Sequence, residues 1–243
     1  KYDYICITDN INLKSNTYKI ILIDLIDDNP RITQRFYKIK INNIIQKYEI
    51  SIYLDGKLQI KKNFLLLLDQ FNSDIIGFKH PKRNCLYDES KHIIHPYKSL
   101  DKKENFIEFI TTIKNDSFPK KFGLTDTCFL IRRHTENIIK TMDLWYNIVY
   151  EYSKRDQLSF MYCIWKNNIN ITILTTINNF NHYFKNINHN KIRVHYKDNY
   201  NILNNEWLEC FHPYENKVYY YNINNRMCKW NLSDKNQIIY DKF

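Results

Sequence analysis

The chain has 243 residues, 44% hydrophobic and 26% charged, which suits one good-sized globular domain plus something small. Its formal net charge of +10 favours anionic partners such as nucleotide phosphates, nucleic acid or a membrane surface. The basic residues are scattered, with no run of five or six, so there is no specific nucleic-acid signal. No apolar stretch approaches the roughly 20 residues of a transmembrane helix.

In chain order, Tyr4 to Thr8 is a short apolar run closed by Asp9-Asn10 and reads as a buried strand. Tyr18 to Leu25 is a second strand. Asn29-Pro30 opens a helix reaching about Ile45, with Asn29 as N-cap. Ile50 to Leu54 is a strand closed by Asp55-Gly56, and Phe64 to Phe71 a helix. Asp74 to Phe78 is a strand that leads into the polar loop His80 to Asn84. Tyr87 to Ile94 and Asn105 to Asn115 read as helices, and Thr127 to Ile131 as a strand. Ile138 to Tyr152 is a helix with Ile138, Met142, Trp145 and Val149 on one face. Gln157 to Trp165 is another helix and Ile171 to Leu174 the last core strand. This alternation predicts a layered α/β domain over residues 1–177 with a mostly parallel sheet. Ligands then belong at the carboxyl ends of strands, which singles out Asp9, Asp55, His80 and Arg132. Residues 178–205 are polar and Asn-rich and read as a linker or tail.

The bias toward Ile, Asn, Lys and Tyr, with only 3 Gly, follows AT-rich codons and reads as genomic. Six cysteines occur without a CxxC pair, which argues against a zinc ribbon and for buried thiols in a reducing compartment. No signal peptide is present, so a cytoplasmic or intracellular location is expected.

From Trp207 the sequence becomes aromatic. Trp207 and Trp230 lie 23 positions apart, with Lys217-Val218-Tyr219-Tyr220-Tyr221-Asn222 and an Asn224-Asn225-Arg226 turn between them. Residues 206–234 thereby resemble a three-stranded WW domain. The resemblance implies that Trp207 packs with Tyr220, while Tyr219, Tyr221 and Trp230 face proline-rich peptides. The family's closing Pro falls at Ser233 and its His at Ile223.

The larger domain carries several blocks in order. They are Asp3-Tyr4-Ile5-Cys6-Ile7-Thr8-Asp9-Asn10, Arg35-Phe36-Tyr37-Lys38, Ser51-Ile52-Tyr53-Leu54-Asp55-Gly56 and Phe78-Lys79-His80-Pro81-Lys82-Arg83-Asn84-Cys85-Leu86-Tyr87-Asp88-Glu89. Gly123-Leu124, Ile131-Arg132-Arg133-His134 and Arg155-Asp156-Gln157-Leu158-Ser159-Phe160 complete the set. Together they resemble a glycosyltransferase-like family formerly filed as a domain of unknown function, with plant and bacterial members. That resemblance implies a Rossmann-like nucleotide-sugar-transferase fold of the A type and a nucleotide-sugar donor. It also implies a further strand and a Gly-Tyr-Asp loop ahead of Tyr4. The chain starts after that point, which reads as a truncated domain or one that compensates in another way.

A sugar-nucleotide transferase must stabilise the charge that develops on a diphosphate, by a metal or by Arg and Lys. Asp55 stands where A-type enzymes place a metal-binding Asp-x-Asp, but Lys57 fills the second position. Mn²⁺ or Mg²⁺ is expected through Asp55, with His189 as a further ligand and His182 or His195 as alternatives; Asp55 also reads simply as a turn residue. Arg35 and Lys38 share a helix face and suit phosphate, or an ordinary solvated face. Asp9, Arg83, Arg132, Arg155 and Gln157 join them as donor-binding candidates. His80 reads as an acid/base group or a structural histidine. Asp156 reads as the base facing the acceptor, or as a helix cap. Two functions follow: a glycosyltransferase, or a non-catalytic scaffold whose WW module recruits partners. No Gly-x-Ser-x-Gly pattern supports a nucleophilic hydrolase.

Overall fold

The computed structural model describes residues 2–93, 103–175, 177–187, 200–202, 204, 206–212, 217–222, 228–229 and 231. The chain divides into two compact units, Lys1–Asn186 and Ile187–Phe243.

In the first unit, β1 (Ile5–Thr8) and β2 (Lys19–Leu22) form a parallel pair. Helix α1 (Pro30–Ile39) starts because Pro30 presets φ and the Asn29 side chain accepts from the Arg31 amide at 3.1 Å. It stops at Ile39, shorter than its apolar spacing predicts. Next come β3 (Ile50–Leu54), β4 (Leu58–Ile60), α2 (Leu66–Gln70), β5 (Ile75–Lys79), α3 (Leu86–Ile93) and α4 (Lys103–Asn115). Then follow β6 (Thr125–Arg133), α5 (Glu136–Glu151), α6 (Asp156–Lys166), β7 (Ile171–Leu174), α7 (Ile177–Tyr183) and β8 (Phe184–Asn186). Among the described residues, no helix is long and apolar enough to cross a membrane.

The central sheet has the order β3-β6-β5-β7. Strands β3 and β5 both pair with β6 antiparallel, and β7 pairs with β5 parallel. So β3, β5 and β7 run one way and β6 runs against them. The sheet is mixed, not mostly parallel as the alternation suggested. Phe129, Leu130 and Ile131 are buried on both faces, and a doubly buried run looks the same in either direction.

Each face of the sheet carries its own core. Ile75 and Leu130 point to a helical layer built on Phe109, Trp145, Phe160 and Ile39. Ile76, Phe78, Phe129 and Ile131 point the other way, to Phe64, Leu67 and Phe184. The period-2 alternation along β5 and β6 sorts these side chains. Part of the segment expected to be linker belongs to this second core. Helix α7 and β8 lie in it, β8 pairs with β4, and Phe184 is 1% exposed against Phe78 and Phe129. Asparagines dilute the apolar content there and hide the Phe180–Phe184 spacing.

The second unit is a four-stranded antiparallel sheet of order β12-β11-β10-β9. Its strands are β9 (Tyr200–Ile202), β10 (Trp207–His212), β11 (Lys217–Asn222) and β12 (Cys228–Lys229). A WW module is not evident among the described residues, since the sheet has a fourth strand beyond the three expected. The extra strand comes from the expected linker, because the Asn204 side chain accepts from the amides of Glu206 and Trp207 and turns the chain back. Trp207, Tyr220 and Lys229 share one face by register, with the Lys229 ammonium 5.8 Å from the Trp207 ring. Tyr219 and Tyr221 lie on β11 at the alternate positions, while Trp230, Ser233 and Ile223 lie outside the described residues.

One irregularity shapes the edge of the central sheet. Between Gly77 and Phe78 the partner on β6 jumps from Leu130 to Asp126, a bulge that re-aims Thr127. Gly77 permits it, since a Cβ there would lie 2.7 Å from the Thr125 methyl. We expect Gly77→Ala to destabilise the fold by about 1–3 kcal/mol by overpacking, read as a lower urea midpoint with an unchanged m-value.

Candidate functional site

Two helices converge on the sheet edge where β3 and β5 end and β6 begins. On α1, Arg35 and Lys38 are three residues apart and face the same way. On α6, Asp156 occupies the first turn, where the helix dipole favours a carboxylate. The indole Nε1 of Trp145 donates to the Asp156 carbonyl at 2.8 Å and fixes that turn against α5.

The Asp156 carboxylate accepts from three donors. Arg35 Nη2 lies 3.0 Å from Oδ1 and Lys38 Nζ 2.6 Å from Oδ2. The Thr127 hydroxyl donates to Oδ2 at 3.0 Å and accepts from Lys38 Nζ at 3.3 Å. Burial pushes this acid up, but the charges of Lys38 and Arg35 and the hydrogen bonds from Lys38 and Thr127 outweigh it and hold it at about 2. A base needs a pKa near the working pH and a free lone pair. Asp156 lies far below that range and already accepts from three donors, which suits an electrostatic anchor for the two cations.

Lys38 is 3% exposed and reaches beyond Asp156 to Asp55, 3.7 Å from its Oδ1, and to the Tyr53 ring, 4.9 Å from its centroid. Tyr53 Oη donates to the same Asp55 oxygen at 2.8 Å and accepts from Gln34 Nε2 at 2.9 Å. Burial, and then the Asp55 charge, raise the Tyr53 phenol far above its ordinary range, so it stays a proton donor. On the outer side Lys57 Nζ stands 3.5 Å from Asp55 Oδ2. Asp55 and Lys57 are the more exposed members of this network.

Arg35, Lys38, Asp55 and Asp156 are thus brought together. Gln157 adjoins them, its amide donating to the Thr125 carbonyl at 3.2 Å. The other candidates lie elsewhere. Arg132 sits at the far end of β6, because β6 runs against its neighbours. Its Nη1 donates to the Lys38 and Ile39 carbonyls at 2.9 and 2.7 Å, which secures the C-terminus of α1. Burial lowers its pKa to about 10, and it remains charged. His80 Nδ1 accepts from the amides of Lys82 and Arg83 at 3.2 and 2.9 Å and so folds its own loop. Its Nε2 is 4.0 Å from Glu89 Oε2, an oxygen also bound by Arg83 Nε. Burial lowers the His80 pKa, against a smaller upward pull from Glu89. Asp9 is exposed in the turn after β1, and Arg155 takes the N-cap position of α6 with its amide bonded to Ser153 Oγ. His189 and His195 lie outside the described residues, and His182 is exposed at the end of α7.

Three participants were missed from sequence. Thr127 and Tyr53 are inward residues next to strand ends, and Asp126 opens the bulge, its Oδ1 accepting from the Cys128 amide at 3.1 Å. The Thr125-Asp126-Thr127 run was the available signal, since three polar residues at a strand start are rarely needed for packing.

A divalent cation fits this donor set poorly. Among the described residues no group of three His, Cys, Asp or Glu side chains converges, and both oxygens of Asp55 already face lysines.

The Asp156 cluster generates a stability prediction. Its folded pKa of about 2 lies below the ordinary 3.8, so the stabilisation is complete above about pH 4 and is lost as pH falls through 2. Asp156→Asn takes the nearest counter-charge from partly buried Arg35 and leaves buried Lys38 with Asp55 at 3.7 Å, and we expect a loss of about 3 kcal/mol. Denaturation midpoints measured from pH 2 to 7 should show an acid limb of roughly 2 kcal/mol that Asp156→Asn flattens.

No curated protein and no solved structure matches the chain at a significant level. A family model described as TOD1/MUCI70, glycosyltransferase-like domain, matches residues 7–197 and spans both helices of the site, all four strands of the central sheet and the Asp55 turn. With that match covering most of its length, the chain belongs to the TOD1/MUCI70 glycosyltransferase-like domain family.

Proposed function

We propose that the first unit is a glycosyltransferase that uses a nucleotide-sugar donor, with the diphosphate held at the edge formed by Asp55, Lys57 and Thr125–Thr127. Family membership supports the reaction class. The observation that carries the placement is the Lys57 ammonium at the open rim of one connected cluster. Lys38 and Asp156 are buried and pair with each other, Arg35 pairs with the same carboxylate, and Asp55 lies between Lys38 and Lys57. Lys57, 45% exposed, is the cation of the cluster most open to an anion.

In the transfer, the bond between the anomeric carbon and the donor phosphate oxygen breaks, and its electron pair stays on the leaving nucleoside diphosphate. The acceptor hydroxyl oxygen bonds to the anomeric carbon and gives up its proton to the departing diphosphate or to water. The chain's part is to hold cations where the leaving charge grows, fixed beforehand by the Asp156 anchor. Tyr53, kept protonated, holds the Asp55 carboxylate in register with them.

Release of nucleoside diphosphate from a panel of nucleotide sugars tests this reading. Turnover with one donor is expected, and Asp55→Asn should lower kcat/KM on the order of 10–100-fold with little change in melting temperature. Absence of turnover and of nucleotide binding across the panel would overturn it.

A further inference from the structure

Resting on the donor reading above, we propose that Lys57, backed by Lys38, takes the place of a divalent cation at this site and neutralises the donor diphosphate directly. The resemblance and two contacts in the structure support it. Lys57 occupies the position where an Asp-x-Asp pair would have its second carboxylate. It is not turned away from the site, since its ammonium stands 3.5 Å from Asp55 Oδ2. Lys38 approaches the other oxygen of the same carboxylate at 3.7 Å, so Asp55 is flanked by cations on both sides.

A metal ion on Asp55 would have to enter between two ammonium groups. Coulomb repulsion at such distances costs several kcal/mol per pair at a partly buried site. A diphosphate meets the opposite situation. Lysine presents a compact charge with three donors, which suits a phosphate oxygen without demanding a fixed plane. The two lysines also differ in mobility. Lys38 is locked by Asp156, Thr127 and the Tyr53 ring, whereas the Lys57 side chain is 45% exposed and held by Asp55 alone among the described residues. Asp55 therefore parks Lys57 beside the donor position, and the phosphate draws it over. When the bond to the anomeric carbon breaks, the electron pair left on the phosphate oxygen lies against this ammonium. No change in oxidation state and no co-reactant is required.

The test titrates UDP and GDP calorimetrically into the full chain, once in EDTA and once in Mn²⁺. The wild-type protein should bind one nucleotide equally well in both. Lys57→Ala should weaken that binding about tenfold or more, and Lys57→Arg should restore much of it. Lys57→Asp, which creates an Asp-Gly-Asp sequence, should bind only when Mn²⁺ is present. The exposure of Lys57 predicts unchanged melting temperatures for all three variants. Wild-type binding that requires Mn²⁺, or Lys57→Ala binding as tightly as wild type, would overturn the inference while leaving the donor reading intact. Failure of both nucleotides under both conditions would overturn the donor reading and this inference with it.

Discussion

The ion pair between Lys38 and Asp156 is the constraint on which the rest of the site depends. An unpaired ammonium or carboxylate at that depth would be prohibitive, and each makes the other tolerable. The pair alone would not suffice. Arg35 and Thr127 complete the hydrogen bonding of the carboxylate, and the Tyr53 ring lies under the ammonium. Since these residues come from α1, α6, β6 and β3, satisfying one buried charge fixes four elements relative to one another. Arg132 supports the same geometry from the other side by holding the last carbonyls of α1.

The direction of β6 makes this meeting possible. Running against β3 and β5, it brings its first residues, Thr125 to Thr127, to the edge where those strands end. The bulge opposite Gly77 then turns Thr127 toward Asp156. A parallel β6 would have put Arg132 and Arg133 at that edge instead, and the cluster would hold more positive charge with no hydroxyl to share between Lys38 and Asp156. The mixed sheet is therefore part of the chemistry of the site as well as of its topology.

Charge placement links this geometry to the family. A transferase acting on a nucleotide sugar needs positive charge that is already in position when the leaving group departs. Here Lys38 and Arg35 are held by Asp156, buried behind them, so these two need not reorganise. Asp156 is buried, held strongly acidic and paired with Lys38 and Arg35, while Asp55 and Lys57 are the more exposed charges of the cluster.

Much of this was legible in the amino-acid sequence because it depends on short-range pattern. The polar residues after apolar runs marked Asp55 and His80, the Asn29-Pro30 start marked α1, and the spacing of Arg35 and Lys38 put them on one face. The family blocks carried the glycosyltransferase resemblance. What the sequence could not express was pairing. Whether β6 runs with or against its neighbours is decided by partners far along the chain, and that choice moved Arg132 to the opposite end of the sheet. Whether a histidine is free or spent on its own loop depends on backbone amides that only the folded turn presents, as His80 shows. Phe184 and Tyr200–Ile202 looked like linker because local composition reports apolar density, whereas burial and strand addition depend on what lies across from them. Local sequence determined which residues were polar, apolar or charged at each element's end; tertiary structure decided which of them meet, because opposite charges and strand edges find partners through space.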